Sequence, residues 1–199
     1  MKITHLTSAH PRFDTRIFFK MCSSLSNKGF DVSLVVADGK GDETKSGVKI
    51  VDVGPSKNRF FRILSAPKRV YSKAVLIDAD IYHLHDPELL PIGLKLKKCG
   101  KTVIFDSHED IPKQMLTKPY LNKSLLKLLS FSIKKYEAWV CKQLDGVITA
   151  TPFIREKFLK INPNSIDINN FPILVELSTD VKWKDKKKEV CYVGGIDKI

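Results

Sequence analysis

Asp80-Ile-Tyr-His-Leu-His-Asp-Pro87 and Phe105-Asp-Ser-His-Glu-Asp110 are the two stretches around which the rest of this chain is arranged. Each contains a short, β-rich apolar run that ends abruptly in histidines and carboxylates. A helical segment from Glu88 to Lys98, closed by Gly100, lies between them and predicts a strand–helix–strand unit. The strands should be parallel neighbours with both polar clusters at their carboxyl ends, where open α/β sheets bind ligands. We therefore expect a functional crevice at this edge.

The remaining chain continues the alternation of strands and helices. Further strands are predicted at 2–7, 31–37, 48–53, 146–150 and 165–169, and further helices at 15–28, 60–77, 121–144 and 152–160. Asp14 and Thr151 are expected to be N-caps, Gly29 a helix stop and Pro67 a helix break, and 38–47 is predicted to be an exposed loop. The fold class is therefore α/β, a doubly wound, Rossmann-like and mostly parallel sheet of about seven strands.

Composition limits the classes of function. The chain has 199 residues, 43% of them hydrophobic, and a formal net charge of +12. It shows neither a membrane-spanning run nor a signal peptide, so we interpret it as cytoplasmic. Its four cysteines are scattered and are expected to be reduced thiols. The basic residues lack interleaved aromatics on a strand face, and we expect no nucleic-acid partner.

The loop after the first strand lacks the GxGxxG turn of dinucleotide-binding folds, so we expect no dinucleotide there. It carries His10, Arg12, Asp14 and Arg16 towards the start of the first helix. Two arginines at a helix N-terminus suit a phosphate or an oxygen-rich ligand. The alternative is that Asp14 only caps the helix and pairs with a neighbouring arginine.

The polar residues at the two strand ends are open to three interpretations. His83 and His85 are expected to face opposite sides of the sheet, so that His85 joins the crevice. That crevice would also hold Asp86, His108, Glu109 and Asp110. The cluster could hydrogen-bond a polyhydroxylated ligand, hold a metal ion, or simply cap the strand ends. The first interpretation is favoured, with His108 most central, and we expect no metal and no cofactor.

The long helix at 121–144 carries Lys123, Lys127 and Lys134 on one side. Much of the rest is covered by apolar residues, namely Leu125, Leu128, Leu129, Phe131, Tyr136 and Trp139. We expect most of that surface to pack on the sheet. A basic stripe beside excess apolar surface would also suit peripheral binding to an anionic membrane.

The chain after the last predicted strand has a different character. The segment 171–188 has no clear periodicity and is predicted to be a linker, and 189–199 begins a fresh strand running into a glycine turn. A strand without a partner is a poor domain end, so we expect a fragment cut just inside a second α/β domain.

Three motifs together resemble the family 4 glycosyltransferases of the GT-B fold, which belong to the group 1 type. They are His10-Pro-Arg-Phe-Asp-Thr-Arg-Ile-Phe-Phe-Lys20, His83-Leu-His-Asp-Pro-Glu-Leu-Leu-Pro91 and Asp106-Ser-His-Glu109. Tyr192-Val-Gly-Gly-Ile196 is similar to the first strand and turn of that family's second domain. The resemblance covers nearly the whole chain in the right order.

The resemblance implies a retaining transferase that moves a sugar from a nucleotide-sugar to a lipid-linked or polysaccharide acceptor. Residues 1–170 would be the acceptor-binding domain, 171–188 the interdomain linker and 189–199 the start of the nucleotide-sugar-binding domain. His108 would hydrogen-bond the transferred sugar, and Gly194 and Gly195 would approach the donor diphosphate. The paired glutamates of the donor site would lie beyond Ile199, so this chain alone should be inactive or nearly so.

The residues suit that chemistry in part. Negative charge builds up on the leaving diphosphate, where Arg12 or Arg16 could stabilise it, and Asp86 or Glu109 could orient or partly deprotonate the acceptor hydroxyl. Two other hypotheses remain at this point. One is a metal-dependent hydrolase or deacetylase using His85, Asp86, His108 and Asp110, and the other is a non-catalytic basic module that docks on anionic membrane.

Overall fold

The computed structural model describes residues 1–117, 122–172 and 182–189 and is built on one eight-stranded sheet. The strands are β1 (Lys2–Leu6), β2 (Asp31–Val36), β3 (Glu43–Lys45), β4 (Val48–Asp52), β5 (Ile81–Leu84), β6 (Thr102–Ser107), β7 (Gly146–Thr149) and β8 (Ser165–Asp167). Their spatial order is β3-β4-β2-β1-β5-β6-β7-β8, and every neighbouring pair is parallel except β3 with β4. The predicted α/β class with a doubly wound, mostly parallel sheet is confirmed.

The antiparallel edge strand β3 is the strand that the sequence did not predict. It lies in the stretch 38–47, which was expected to be a loop. Lys45 pairs with Val48 across a two-residue turn, and Ser46 and Gly47 in that turn both have positive φ, 51° and 73°. This is the geometry of a type I′ hairpin, whose twist matches that of the flanking strands. A three-residue polar edge strand has no hydrophobic period from which to predict it.

The strand order reverses between β1 and β5. The chain builds outward from β1 through β2 to β4, and from β5 through β6 and β7 to β8 in the other direction. Ligands of doubly wound sheets bind at such a switch point, beyond the carboxyl ends of the strands. Those ends carry Thr7, at the start of the first loop, and the pair His85-Asp86. The fold therefore brings the first loop and the HxHD motif to one crevice.

The helices connect the strands on both faces of the sheet. They are the π-helix Thr15–Cys22, α1 (Ser23–Asn27), α2 (Arg59–Ile77), α3 (Leu90–Lys98), α4 (Ile111–Leu116), α5 (Lys123–Cys141) and α6 (Pro152–Leu159). The predicted caps are present, since the Asp14 carboxylate accepts from the N–H of Arg16 and Ile17, and the Thr151 hydroxyl accepts from Ile154. The short helix α4 was not predicted. The first connection is π-helical where an ordinary helix was expected, and π-helical turns often occur at functional sites.

The break expected at Pro67 is wrong, because α2 runs through it. A proline removes one hydrogen bond from a helix interior and ordinarily kinks or ends it. Here Ala66, Val70 and Ala74 are fully buried at successive turns on either side of Pro67. Their packing on the sheet outweighs the local preference of the proline.

The two faces of the sheet carry two different cores, and alternate residues of β2 contribute to both. On β2, Val32, Leu34 and Val36 pack with the π-helix, whereas Val35 belongs to the larger core under α2, α3, α5 and α6. Tyr82 and Leu84 on β5 also point into the larger core. The odd-numbered residues of β5 therefore face the side of the π-helix.

Helix α5 exposes most of the apolar residues that were expected to pack on the sheet, so that expectation is wrong. It packs through buried residues such as Leu126, Val140 and Cys141. Leu128, Phe131 and Trp139 are 58–62% exposed, and Leu125 and Tyr136 are also exposed. None of the described helices is long and apolar enough to cross a membrane.

Tyr82→Phe is expected to lower the free energy of unfolding by about 1–3 kcal/mol, because it leaves the buried N–H of Ala79 without its acceptor and removes one of the two donors of the Ala74 carbonyl, which keeps the N–H of Asp78. The Tyr82 hydroxyl donates to the Ala74 carbonyl at 2.7 Å and accepts from the Ala79 N–H at 2.9 Å. Urea unfolding measures the change. Tyr136→Phe on exposed surface is the control and should be neutral, and an equal loss in both variants would contradict the assignment.

The chain divides into two units, Met1–Asn169 and Asn170–Ile199. The described part of the second unit contains a single 3₁₀ turn, Trp183–Asp185. The assignments of 171–188 as linker and 189–199 as the start of a second domain stay predictions, since many of those residues lie outside the described ones. Gly194 and Gly195 also lie outside them.

Candidate active site

The first loop folds around the carboxylate of Asp86. Its Oδ2 accepts hydrogen bonds from the Thr7 hydroxyl at 2.8 Å and from the N–H groups of Ser8 and Ala9 at 2.6 and 3.1 Å. Burial alone would raise the pKa of Asp86, but the hydrogen bond and charge of His10, with the donors of Ser8 and Thr7, lower it to about 2. Asp86 is thus a fixed anion that holds the loop, and it is a poor proton acceptor. This disfavours the predicted role in deprotonating an acceptor hydroxyl.

His10 is held by the same carboxylate. Its Nδ1 lies 3.0 Å from Asp86 Oδ1 and 3.3 Å from the Thr7 hydroxyl. The hydrogen bond with Asp86 raises the pKa of His10, burial opposes it, and the charges of Asp86, Asp14 and Glu88 add to the rise. The His10 side chain remains 31% exposed, whereas that of Asp86 is only 3% exposed. His10 is therefore the group of this pair that a ligand in the crevice can reach.

Arg12 was predicted to bind a ligand, and the structure gives it a different place. Its guanidinium donates two hydrogen bonds to Asp38, at 2.6 and 2.8 Å, one to Glu43 at 2.5 Å and one to the Gly41 carbonyl at 2.9 Å. The hydrogen bonds with Asp38 are the main cause that raises the pKa of Arg12 and lowers that of Asp38. With its donors engaged and its side chain buried, Arg12 fixes the turn that leads to β3.

Arg16 is also engaged inside the protein. It donates to both oxygens of Asp106, at 3.0 and 2.8 Å, and to the Ile168 carbonyl at 2.7 Å. Burial alone would raise the pKa of Asp106, but hydrogen bonds from His85 and Arg16 keep it well below its ordinary value. In this structure neither Arg12 nor Arg16 offers a free guanidinium to a diphosphate. Asp14 acts as the N-cap, and it pairs with neither arginine.

The five histidines of the chain lie in one continuous row. His83 and His85 were expected on opposite faces, which is wrong: residues two apart on a strand share a face, and their ring centroids lie 4.5 Å apart. His5, directly opposite His83 on β1, joins them and its Nδ1 lies 2.9 Å from His85 Nε2. His108 and then His10 extend the row towards the crevice, with centroid distances of 5.7 Å from His85 to His108 and 5.3 Å from His108 to His10.

Burial keeps most of this row neutral. It lowers the pKa of His83 to about 3 and that of His85 to about 4, and it brings the pKa of His5 well below its ordinary value. Burial also lowers the pKa of His108, which the charge of Asp106 only partly opposes. His10 is the member of the row whose pKa rises. The row therefore runs from neutral buried rings to one basic ring at the crevice.

The three predicted site residues that follow β6, His108, Glu109 and Asp110, have different surroundings in the structure. His108 is 20% exposed, with Nε2 at 3.6 Å from Asp106. Glu109 is exposed, and its carboxylate makes no hydrogen bond or ion pair with the described residues. Asp110 faces away to Lys157 at 3.2 Å and Lys113 at 3.4 Å. Of these three, His108 is the residue that the structure brings to His10 and His85.

Two overlapping groups of described residues could hold a metal ion, His5/His83/His85 and His85/Asp106/His108. The ligand set of the predicted hydrolase alternative is not assembled, because Asp86 is bound to the first loop and Asp110 to lysines. In the second group the Asp106 carboxylate already pairs with Arg16, whose positive charge opposes a cation there. The second group therefore fits hydrogen bonding better than a metal centre.

A cavity of about 560 Å³ opens beside the first loop. Its lining residues are Ser8, Ala9, Ala37, Pro55, Ser56, Asn58 and Arg62. Glu88 links its two walls, accepting from the Ser8 hydroxyl at 3.2 Å and pairing with Arg62 at 3.1 Å. The walls are thus lined mostly by small side chains with polar groups among them, which suits a hydroxylated ligand.

Two central residues were not among the predicted site residues, namely Asp106 and His5. Asp106 stood in the quoted motif, directly after the predicted apolar run, but it was not chosen as a site residue. His5 carried no local signal apart from being a histidine in an apolar strand. The register of β1 against β5, which sets His5 opposite His83, would have revealed it.

Comparison with known proteins agrees with this fold. The structure resembles sucrose-phosphate synthase from Thermosynechococcus elongatus, with a TM-score of 0.60 and 12% identity over 84% of this chain and 47% of that one. It also resembles Phytolacca americana UGT2 complexed with UDP-2-fluoro-glucose and pterostilbene (TM-score 0.57, 9% identity, 86% and 54% covered). A third similar structure is the catalytic domain of starch synthase IV from Arabidopsis thaliana bound to ADP and acarbose, with a TM-score of 0.57 and 10% identity over 85% of this chain and 51% of that one.

At such low identity these likenesses show the fold alone, and the chain spans about half the length of these three proteins. A comparison with curated proteins finds no match. The family model described as Glycosyltransferase Family 4 matches residues 15–168, which is most of the chain and contains Arg16, the HxHD motif and His108. The chain therefore belongs to glycosyltransferase family 4.

Proposed function

We propose that this chain is the acceptor-binding domain of a retaining glycosyltransferase that moves a sugar from a nucleotide-sugar to a lipid-linked or polysaccharide acceptor. The observation that carries the proposal is the polar crevice between β1 and β5, in a chain of this family. There the reachable ring of His10 lies beside His108, and the loop that carries it also lines a cavity of mostly small side chains with polar groups among them. These groups suit hydroxyl groups of sugars, which both donate and accept hydrogen bonds.

His108 is the residue proposed to hydrogen-bond the transferred sugar. Its imidazole is kept neutral by burial, so one ring nitrogen can donate and the other can accept. Glu109 is exposed next to it and is proposed to orient the acceptor hydroxyl. Charge on the leaving diphosphate must be stabilised elsewhere, since Arg12 and Arg16 are engaged.

The donor site is proposed to lie mainly on a second domain that begins near 189 and includes Gly194 and Gly195. UGT2 was solved with UDP-2-fluoro-glucose and starch synthase IV with ADP, which supports a nucleotide-sugar donor for this chain as well. No cofactor is required. On this proposal residues 1–199 by themselves transfer little or no sugar.

The start of α2 supports a lipid-linked acceptor. Phe60, Phe61 and Leu64 are 49–67% exposed, and Asn58 and Arg62 of the same turn line the cavity. Exposed aromatic residues at the rim of a polar cavity suit a substrate with a polar head and an apolar tail. The sugar part would enter the cavity while the lipid part contacts the aromatic side chains.

The exposed face of α5 supports peripheral contact with anionic membrane on the cytoplasmic side. Its apolar residues Leu128, Phe131 and Trp139 share the helix with exposed Lys127 and Lys134. Apolar side chains that insert and lysines that meet anionic headgroups contribute additively to such binding.

A transfer assay tests the proposal. The protein extended through the second domain should transfer sugar from a UDP- or ADP-sugar to a lipid extract, and residues 1–199 alone should not. His108→Ala should lower the rate by on the order of a hundredfold, while Asp31→Asn on exposed surface should leave it unchanged. Full transfer by residues 1–199 alone would overturn the proposal that this chain binds the acceptor while a second domain holds the donor.

Vesicle binding tests the membrane contact separately. Binding to vesicles with anionic lipid should exceed binding to zwitterionic vesicles and should fall with salt. Reversing the charge of Lys127 and Lys134 should weaken it, while reversal of Lys49, which lies on β4, should not. Binding that is indifferent to salt and to these variants would count against α5 as the docking surface.

A further inference from the structure

We propose that His10, oriented by Asp86, takes the proton of the acceptor hydroxyl during sugar transfer. This inference rests on the proposed function and adds a catalytic residue to it. The sequence suggested only that His10 lies in a loop that contacts a ligand.

The geometry is that of a carboxylate-oriented imidazole. The hydrogen bond to Asp86 Oδ1 at 3.0 Å places the Nδ1 proton of His10 on the carboxylate side. Nε2 is then the unprotonated nitrogen, and it makes no hydrogen bond with the described residues. When a carboxylate holds the Nδ1 proton of a histidine, the ring keeps the tautomer in which Nε2 is free to accept a proton.

The carboxylate is itself held rigidly. Four hydrogen bonds from Thr7, Ser8 and Ala9 fix Asp86, and the N–H of His10 donates to the Thr7 hydroxyl at 3.0 Å. Both the backbone and the ring of His10 are therefore tied to the same anchor. Such a pre-organised base loses little entropy on reaching the reactive geometry.

The charges around the His10 ring favour its uptake of a proton. Asp86 and Glu88 face it from the chain beyond β5, Asp14 from its own loop and His108 from beyond β6. Three carboxylates stabilise the imidazolium that forms on proton uptake, and the neutral ring of His108 opposes it only weakly. The other candidates fit less well, since Asp86 is saturated with donors and Glu109 has no group that orients it.

The acceptor oxygen forms a bond to the anomeric carbon, and the bond from that carbon to the diphosphate oxygen breaks, with its electron pair leaving on the diphosphate. The acceptor proton moves to Nε2 of His10. Asp86 stabilises the imidazolium until the proton returns to solvent.

The first test is the pH dependence of kcat in the protein extended through the second domain. The acid limb of the wild-type profile should report protonation of His10, at a pH above the ordinary value for histidine of about 6.5. His10→Gln should lower kcat by about 10²–10⁴-fold and abolish that limb. His108→Gln should also lower kcat but keep the limb. A His10→Gln variant that retains the limb, or loses less than about tenfold, would overturn the proposal.

Chemical rescue guards against a merely structural effect. Imidazole added to His10→Gly should restore part of the lost rate, whereas it should not help His108→Gly. The partly exposed His10 side chain makes both His10 variants compatible with folding, which thermal unfolding can verify. Folded variants without rescue would argue against proton transfer at this position.

A substrate-free measurement separates this inference from the proposed function. NMR titration of residues 1–199 should show the Nδ1–H tautomer of His10 and a raised pKa, which Asp86→Asn or, if that variant does not fold, Thr7→Val should lower. An unperturbed His10 would remove the basis of the inference even if sugar transfer is found. Absence of transfer by the extended wild-type protein with every donor would instead refute the proposed function, and with it the catalytic role.

Discussion

Replacing Asp106 by asparagine should lower the free energy of unfolding of this domain by about 3–5 kcal/mol, because it leaves the buried guanidinium of Arg16 without its counter-charge. Asp106 is fully buried, accepts from Arg16 at 3.0 and 2.8 Å, and lies 3.3 Å from His85 Nδ1. The amide group of asparagine would also direct N–H groups at donors of Arg16. Since domains are stable by about 5–15 kcal/mol, this one change should remove a large share of the total. Urea unfolding at neutral pH measures it.

Two comparisons make that prediction specific. Asp31→Asn breaks an ion pair with Lys49 of similar length, 3.0 Å, in which the two side chains are 61% and 43% exposed, and it should cost less than about 1 kcal/mol. Replacing both partners with apolar residues, as in Arg16→Met with Asp106→Leu, should recover much of the stability lost in the single variant. A single variant as stable as the wild type would mean that Arg16 is not held by Asp106.

The elements of this fold could be predicted because their signals are local. Asp14 and Thr151 could be identified as caps, since a side-chain oxygen before a helical run satisfies N–H groups only a few residues away. The strand–helix–strand unit around Glu88–Lys98 likewise follows from the period of its own residues. The two strand-end clusters could be predicted to lie at one edge of the sheet, because neighbouring parallel strands bring their carboxyl ends together.

The partners of the charged residues could not be predicted in the same way. Arg12 and Arg16 looked like ligand-binding residues because they stand near a helix N-terminus, and the one nearby carboxylate that was considered as a partner, Asp14, caps that helix instead. Their actual partners, Asp38 and Asp106, are 26 and 90 residues away and are brought close only by the strand order. The row of histidines depends in the same way on the register of β1 against β5.

The domain should lose stability steeply as the pH falls from about 6.5 towards 4, because three buried histidines stay neutral in the folded state. Burial lowers the pKa of His83 to about 3 and of His85 to about 4, and it also lowers that of His5. In the unfolded chain these residues take up protons below about 6.5, so the unfolded state binds more protons and gains stability as the pH falls. Each such histidine should contribute about 1.4 kcal/mol per pH unit, measured as the change in the urea midpoint with pH.

Other titratable groups change the stability in the opposite direction or over a different pH range. The raised pKa of His10 means that its stabilisation is fully present below about 6.5 and is lost as the pH rises through the folded value, which is the opposite direction. Asp86, with a folded pKa of about 2, contributes stability that is lost only below about pH 4. His83→Gln removes one of the three buried histidines. Between pH 6 and 5 it should reduce the slope of the free energy of unfolding against pH by about 1.4 kcal/mol per pH unit. A slope unchanged in that variant would show that His83 already carries a proton in the folded domain, and the neutral row on which the site depends would then be wrong.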